Sequence, residues 1–221
     1  MITVVCVYWQ GPFKDNIERY PVEWITHLKR MVEKHLPLEH RFVCMSNVEV
    51  PCERIPLEHN WEGWWSKIEL FRPGLFTGQV LFLDLDTIIV GSLEPLLKFK
   101  SRPFIGLRAF NPRKAFLRSY MGSAILSWKT DGFFDFLYNE FNFQEHSDRF
   151  AGDQDYISAM LYDRKIKLAH WQLLVTGIYS YKRHIRKEGY ILKDEPRIVC
   201  FHGDPRPHEL IDDPWIQKAI S

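Results

Sequence analysis

The triplet Asp84-Leu85-Asp86 is where residue type and spacing point most directly to chemistry. It follows Val80-Leu81-Phe82-Leu83, four consecutive apolar residues that read as a buried strand. Two carboxylates at i and i+2 leaving such a strand can converge on one cation where the backbone turns between them. Oxygen ligands favour Mg²⁺ or Mn²⁺, ions that also bridge to phosphate oxygens. A DxD triplet alone is frequent by chance. The apolar strand before it and Thr87-Ile88-Ile89-Val90-Gly91 after it make this one more specific. In open α/β sheets ligands bind at the carboxyl ends of strands, and these two acids stand at such an end.

Other polar residues fall at comparable places. His202 follows the apolar run Ile198 to Phe201 and opens His202-Gly203-Asp204-Pro205-Arg206-Pro207. Gly152-Asp153-Gln154-Asp155 precedes a helical stretch, where Asp153 also suits a helix N-cap. Lys67 lies in the tryptophan-rich stretch Trp64-Trp65-Ser66-Lys67-Ile68-Glu69-Leu70-Phe71, as a site residue or as a solvent-facing lysine.

The elements that must position these groups alternate between strand and helix, which predicts an α/β domain with a mixed, mostly parallel central sheet flanked by helices. Ile2 to Tyr8 reads as a first strand buried on both faces. A helix is predicted from Val22 to His35 after Pro21, with Val22, Ile25, Leu28 and Val32 on one face. Strands are predicted at Arg41 to Met45, Phe104 to Leu107, Ala124 to Trp128 and Ile198 to Phe201. Helices are predicted from Asn60 to Phe71, ended by Pro73-Gly74, after an Asp131 cap, and from Asp153 to Leu161. No repeat, low-complexity tract or Gly/Ser linker divides the chain, so residues 1–221 read as a single domain.

Composition narrows the function. The 29 Lys plus Arg nearly balance 28 Asp plus Glu, which argues against nucleic acid as a partner. Aromatic residues make up 15% of the chain, mostly core rings by default, with some suited to lining a cleft for bases or sugars. Cys6, Cys44, Cys52 and Cys200 form neither a zinc pattern nor a disulfide framework. With no basic leader and no apolar stretch of about 20 residues, they predict a cytoplasmic protein without a transmembrane segment.

Taken in order, these stretches resemble the GT-A glycosyltransferases, and most closely the family 8-like group that includes glycogenin and bacterial galactosyltransferases. Asp84-Leu85-Asp86 corresponds to that family's DxD, and Gly152-Asp153-Gln154-Asp155 to its D-Q-D stretch. Met121-Gly122-Ser123-Ala124 stands for its N-S-G segment, with Gly-Ser-Ala in place of Asn-Ser-Gly. The His202–Pro207 stretch resembles its terminal H-x-G-x-x-K-P motif, shortened and with Arg206 for the lysine. The likeness runs from Ile2 to about Pro207.

The resemblance implies a GT-A domain transferring a sugar, with retention, from a UDP-sugar to an acceptor hydroxyl in the presence of Mn²⁺ or Mg²⁺. Asp84, Asp86 and His202 would hold the metal, with Asp84 also touching the ribose. Tyr8, Lys67, Ser123, Gly203 and Arg206 would contact the donor, Tyr8 being equally a core ring. Asp153, Gln154 and Asp155 would face the donor sugar and reaction centre. The acceptor would be a glycan, a lipid-linked or a protein substrate. Candidate acceptor segments are Phe110 to Arg118 and Gly177 to Gly189, whose basic residues suit an anionic glycan or lipid-linked acceptor; oligomeric state is left open.

Two rival readings are a sugar-nucleotide nucleotidyltransferase and a non-catalytic nucleotide- or carbohydrate-binding module on the same scaffold. Trp9-Gln10-Gly11-Pro12-Phe13 lacks the Gly-rich phosphate loop of the first. Two adjacent carboxylates are costly in an idle site, which weighs against the second. Neither the P-loop nor the dinucleotide-binding glycine pattern occurs.

Overall fold

The uninterrupted apolar run Ile2–Tyr8 forms strand β1 in the computed structural model, which describes residues 1–13, 20–110, 121–187 and 191–221. After it come β2 (Arg41–Ser46), β3 (Glu53–Pro56), β4 (Gln79–Leu83), β5 (Thr87–Ile89) and β6 (Phe104–Arg108). β7 (Met121–Trp128), β8 (Leu168–His170), β9 (Ile178–Ser180) and β10 (Ile198–Cys200) complete the strands. Seven make one sheet in the order β3-β2-β1-β4-β7-β6-β8. β7 is antiparallel to both its neighbours, and the other four pairings are parallel. A second sheet has the order β5-β10-β9.

The central strands are covered on both faces, so each alternates between two cores rather than between core and water. On one face Val4, Cys6, Leu81 and Leu83 meet Ile25, Leu28 and Val32 of helix α1 (Trp24–His35) and the three-stranded sheet. On the other, Val5, Val80 and Phe82 meet Ile68 and residues 156–161. Each fully buried Leu, Ile or Phe contributes about 1.5–3 kcal/mol, so the ends of β1 and β4 are firmly anchored.

The chain passes from β1 outward through β2 and β3, then returns to lay β4 against the other side of β1. That reversal leaves a crevice beyond the carboxyl ends of β1 and β4, where open α/β sheets bind ligands. The remaining helices are α2 (Phe136–Asn139), α3 (Phe143–Arg149), α4 (Asp153–Asp163), α5 (Trp171–Leu174) and α6 (Pro214–Ile220).

Several local readings are corrected. The stretch Asn60 to Phe71 is a 3-10 helix over Gly63–Phe71, because Asn60 and Gly63 take positive φ (52° and 58°) and bend the chain first. Asp131 does not cap a helix: its carboxylate accepts Phe133 N–H at 3.2 Å in a turn, and α2 starts five residues later. Asp153 is the first helical residue of α4, and Gly152 occupies the cap position. The N-cap reading of Asp153 therefore fails, and its side chain points elsewhere.

Among the described residues no helix is long and apolar enough to cross a membrane, and all four cysteines are free.

Candidate functional site

Three hydrogen bonds fix the Asp84–Asp86 turn where β4 ends. Asp84 N–H donates to the Ala124 carbonyl of β7 (2.8 Å), Thr87 N–H to the Asp84 carbonyl (3.1 Å), and Phe201 N–H to the Asp86 carbonyl (2.9 Å). Leu85 turns inward at 6% exposure, and Trp24 Nε1 donates to its carbonyl at 2.8 Å. The same pairings gather the distant motifs. Leu83 faces Ile125 in the β4–β7 ladder, which brings Ser123 beside Asp84. Thr87 faces Cys200 in the antiparallel β5–β10 pair, so the chain emerges as Phe201-His202 next to Asp86.

These residues line one pocket of ≈ 460 Å³. Of the residues the sequence singles out, Tyr8, Lys67, Asp84, Asp86, Ser123, Asp153, Gln154, Asp155, His202 and Arg206 all line it. Gly203 does not; its φ of 74° turns the chain between His202 and Arg206. Tyr8 serves as both wall and core: it is 3% exposed, and its hydroxyl donates to the Tyr20 carbonyl at 3.1 Å.

Two cations divide the carboxylates between them. Lys67 Nζ lies 2.9 Å from Asp84 Oδ2, 3.4 Å from Ser123 Oγ and 3.6 Å from Asp153 Oδ2. Burial alone would lower the Lys67 pKa, but Asp153 and Asp84 outweigh it and hold the ammonium charged. Arg206 donates to the Tyr20 hydroxyl at 2.6 Å and sits 3.4 Å from Asp86 Oδ2, which also accepts from the Tyr20 hydroxyl at 3.3 Å. Burial, then the charge of Asp84, pushes the Asp86 carboxyl up to about 7. Burial likewise raises Asp84, against the pull of Lys67.

His202 Nε2 is 2.6 Å from Ser180 Oγ, and the ring stacks on Phe110 (5.9 Å, 13°). Burial, then Lys182 and Arg183, lowers its pKa, which favours the neutral imidazole, the form that ligates metals. The donor set thus has the types a divalent cation needs, and Asp86 Oδ1 is buried without a hydrogen-bond partner. Among the described residues, however, no three His, Cys, Asp or Glu side chains are gathered around one point as a cage. Asp84 is engaged by Lys67, and His202 by Ser180.

Two groups at the site carried no signal in the sequence. Tyr20 bridges Arg206 and Asp86, and Ser180 holds His202. A tyrosine before a proline and a serine ending a three-residue strand are ordinary until the fold brings their partners in. Of the acceptor candidates, residues 111–118 and 188–189 lie outside the described residues. Lys182 and Arg183 lie on the single π-helical turn Tyr181–Ile185, which Ser180 caps by accepting Arg183 N–H at 3.1 Å.

No family model and no curated protein matches the sequence. Solved structures match its shape. The galactosyltransferase LgtC, in complex with donor and acceptor sugar analogs, superposes with a TM-score of 0.61 at 11% identity, over 93% of this chain and 88% of that one. The apo form of the glycosyltransferase GlyE from Streptococcus pneumoniae TIGR4 gives 0.59 at 14% identity, over 93% and 55%. The bifunctional glycosyltransferase WbbM gives 0.62 at 14% identity, over 99% and 51%. The fold is the GT-A fold of these glycosyltransferases.

Proposed function

We propose that the chain is a glycosyltransferase moving a sugar from a nucleoside diphosphate sugar, with UDP the expected nucleotide, to an acceptor hydroxyl. One observation carries this reading. Two strand-end carboxylates, Asp84 and Asp86, face one pocket with a part-buried cation paired to each. The pocket lining holds Asp84, Asp86, Asp153 and Asp155 against Lys67 and Arg206. Such a surplus of negative charge suits a diphosphate only when a cation arrives with it. Mn²⁺ or Mg²⁺, held by Asp84, Asp86 and His202, would supply Lewis-acid neutralisation of charge on the departing diphosphate.

In the reaction the bond from the anomeric carbon to the diphosphate oxygen breaks, its electron pair leaving with the diphosphate. The acceptor oxygen bonds to that carbon and passes its proton to an oxygen of the departing diphosphate. Arg206 and Lys67 hold fixed positive charge where the diphosphate gains negative charge, without reorganising. The Asp153 carboxylate, with a buried oxygen that lacks a hydrogen-bond partner, accepts from sugar hydroxyls beside Ser123. Gln154 and Asp155 face the reaction centre, Tyr8 the nucleoside, and Gly203 shapes the phosphate side. Anomeric configuration is retained. LgtC, solved with donor and acceptor sugar analogs, lends the fold-level support.

A second reading, a module that binds nucleotide-sugar without transferring it, draws on the pairing of both carboxylates with cations of the chain itself. UDP-glucose, UDP-galactose and UDP-N-acetylglucosamine with Mn²⁺ distinguish the two. Release of UDP that vanishes in Asp86→Asn supports transfer. Binding of these donors without any turnover overturns it in favour of the module.

A further inference from the structure

Arg206 is closer to a neutral hydroxyl than to the carboxylate beside it. Its Nη1 lies 2.6 Å from the Tyr20 hydroxyl and 3.4 Å from Asp86 Oδ2, and all three residues line the pocket. A guanidinium next to a carboxylate normally closes to about 2.8 Å, often on both oxygens. Here the Tyr20 hydroxyl stands between them: it accepts from Arg206 and donates to Asp86 Oδ2 at 3.3 Å. Asp86 Oδ1 is left buried and, among the described residues, without a hydrogen-bond partner. A second carboxylate, that of exposed Asp204, is 4.0 Å from Arg206 Nε.

Tyr20 is itself fixed through backbone and ring. Tyr8, at the end of β1, donates through its hydroxyl to the Tyr20 carbonyl at 3.1 Å. Trp24 N–H donates to the Pro21 carbonyl at 2.9 Å, and Trp24 Nε1 to the Leu85 carbonyl at 2.8 Å. The start of α1 and the Asp84–Asp86 turn are thus pinned to each other. The buried Tyr20 ring meets His208 edge to face at 5.1 Å and the Arg206 guanidinium at 5.4 Å. Burial, then the charge of Asp86, holds the phenol well above its ordinary pKa, so it keeps the proton that Asp86 accepts.

Building on the transferase reading above, we infer that Tyr20 is a positioning residue that holds Arg206 off Asp86. It keeps Asp86 Oδ1 open to the cation and the guanidinium available to the diphosphate. Without the hydroxyl, Arg206 closes on Asp86 as a two-oxygen pair, and each neutralises the other. The carboxylate then has to shed a guanidinium before it can take a cation. Outer partners that orient a metal-binding carboxylate are worth about 10–100-fold in metal affinity.

The test removes the hydroxyl alone, since Tyr20→Phe keeps the ring against His208. Tyr20→Phe and Arg206→Met are made singly and together, with folding checked by circular dichroism and the unfolding midpoint. Mn²⁺ affinity is read from the EPR signal of the free ion, and UDP affinity by calorimetry with Mn²⁺ present. Tyr20→Phe weakens Mn²⁺ binding by about tenfold and UDP binding by at least about fivefold. In the Arg206→Met background the same change moves Mn²⁺ affinity by less than about twofold, because no guanidinium remains to collapse. A merely structural role would cost the same in both backgrounds. Unchanged or tighter Mn²⁺ binding in Tyr20→Phe overturns the inference, and so does an equal loss with and without Arg206. Failure of the transferase reading looks different: the parent protein would bind no UDP, with or without Mn²⁺.

Discussion

At Asp86, burial and the neighbouring charge of Asp84 push the carboxyl up to about 7. The same group ionises near 4 in an unfolded chain. Between those values the folded state holds more protons than the unfolded one, so ionisation of this site lowers stability as pH rises. Asp86→Asn should therefore stabilise the ligand-free chain by about 1–3 kcal/mol at pH 8, the gain shrinking toward zero near pH 4. Urea unfolding at both pH values reads this; a variant less stable than its parent at pH 8 would contradict it. Lys67 makes the opposite case, since its ammonium separates Asp84 from Asp153. Lys67→Met should cost about 2–4 kcal/mol by removing the cation that pairs with buried Asp153 and part-buried Asp84. Adding Asp153→Asn should recover part of that loss, and no recovery would mean that lost packing, not charge, set the cost. Asp84, Asp86 and Asp153 were legible because these acids fall at strand and helix ends in the sequence itself, whereas Lys67, in the middle of its helix, was singled out only by the family resemblance. Tyr20 was not, because its partner Arg206 lies 186 residues away.

The 3-10 helix Gly63–Phe71 does two tasks on two sides. Lys67 reaches into the pocket, while Glu69, fully buried, accepts Glu58 N–H at 2.7 Å, His59 N–H at 3.0 Å and Arg72 Nη1 at 3.1 Å. Glu69 thereby holds the loop that leads to Asn60 and the Trp9 contact. Glu69→Ala should cost about 3 kcal/mol, because it strands two backbone donors and removes one of the two carboxylates that Arg72 pairs with. Chemical denaturation reads it, and a cost under about 1 kcal/mol would show that water replaces the carboxylate. Long elements were readable from period: β1 and α1 fall within two residues of their predicted bounds. Strands of three or four residues, such as β3, β5, β8 and β9, have no room to show a period. Their existence is decided by the partner strand, as β5 is by β10.

At the scale of the whole molecule, the chain reversal between β1 and β4 sets the place of the pocket, and the β5–β10 pair sets its depth by delivering His202 and Arg206 to the Asp84–Asp86 turn. Alternation of strand and helix made the α/β class legible. The separation of a three-stranded sheet from the seven-stranded one was not, since no composition shift marks it. The central claim is that this pocket takes a nucleoside diphosphate together with a divalent cation. Calorimetric titration of UDP, with and without Mn²⁺, on the parent chain and on Asp86→Ala, tests it most directly. The account predicts that Mn²⁺ tightens UDP binding by at least about tenfold in the parent and that this gain is lost in the variant. UDP binding that ignores both Mn²⁺ and Asp86 would contradict it.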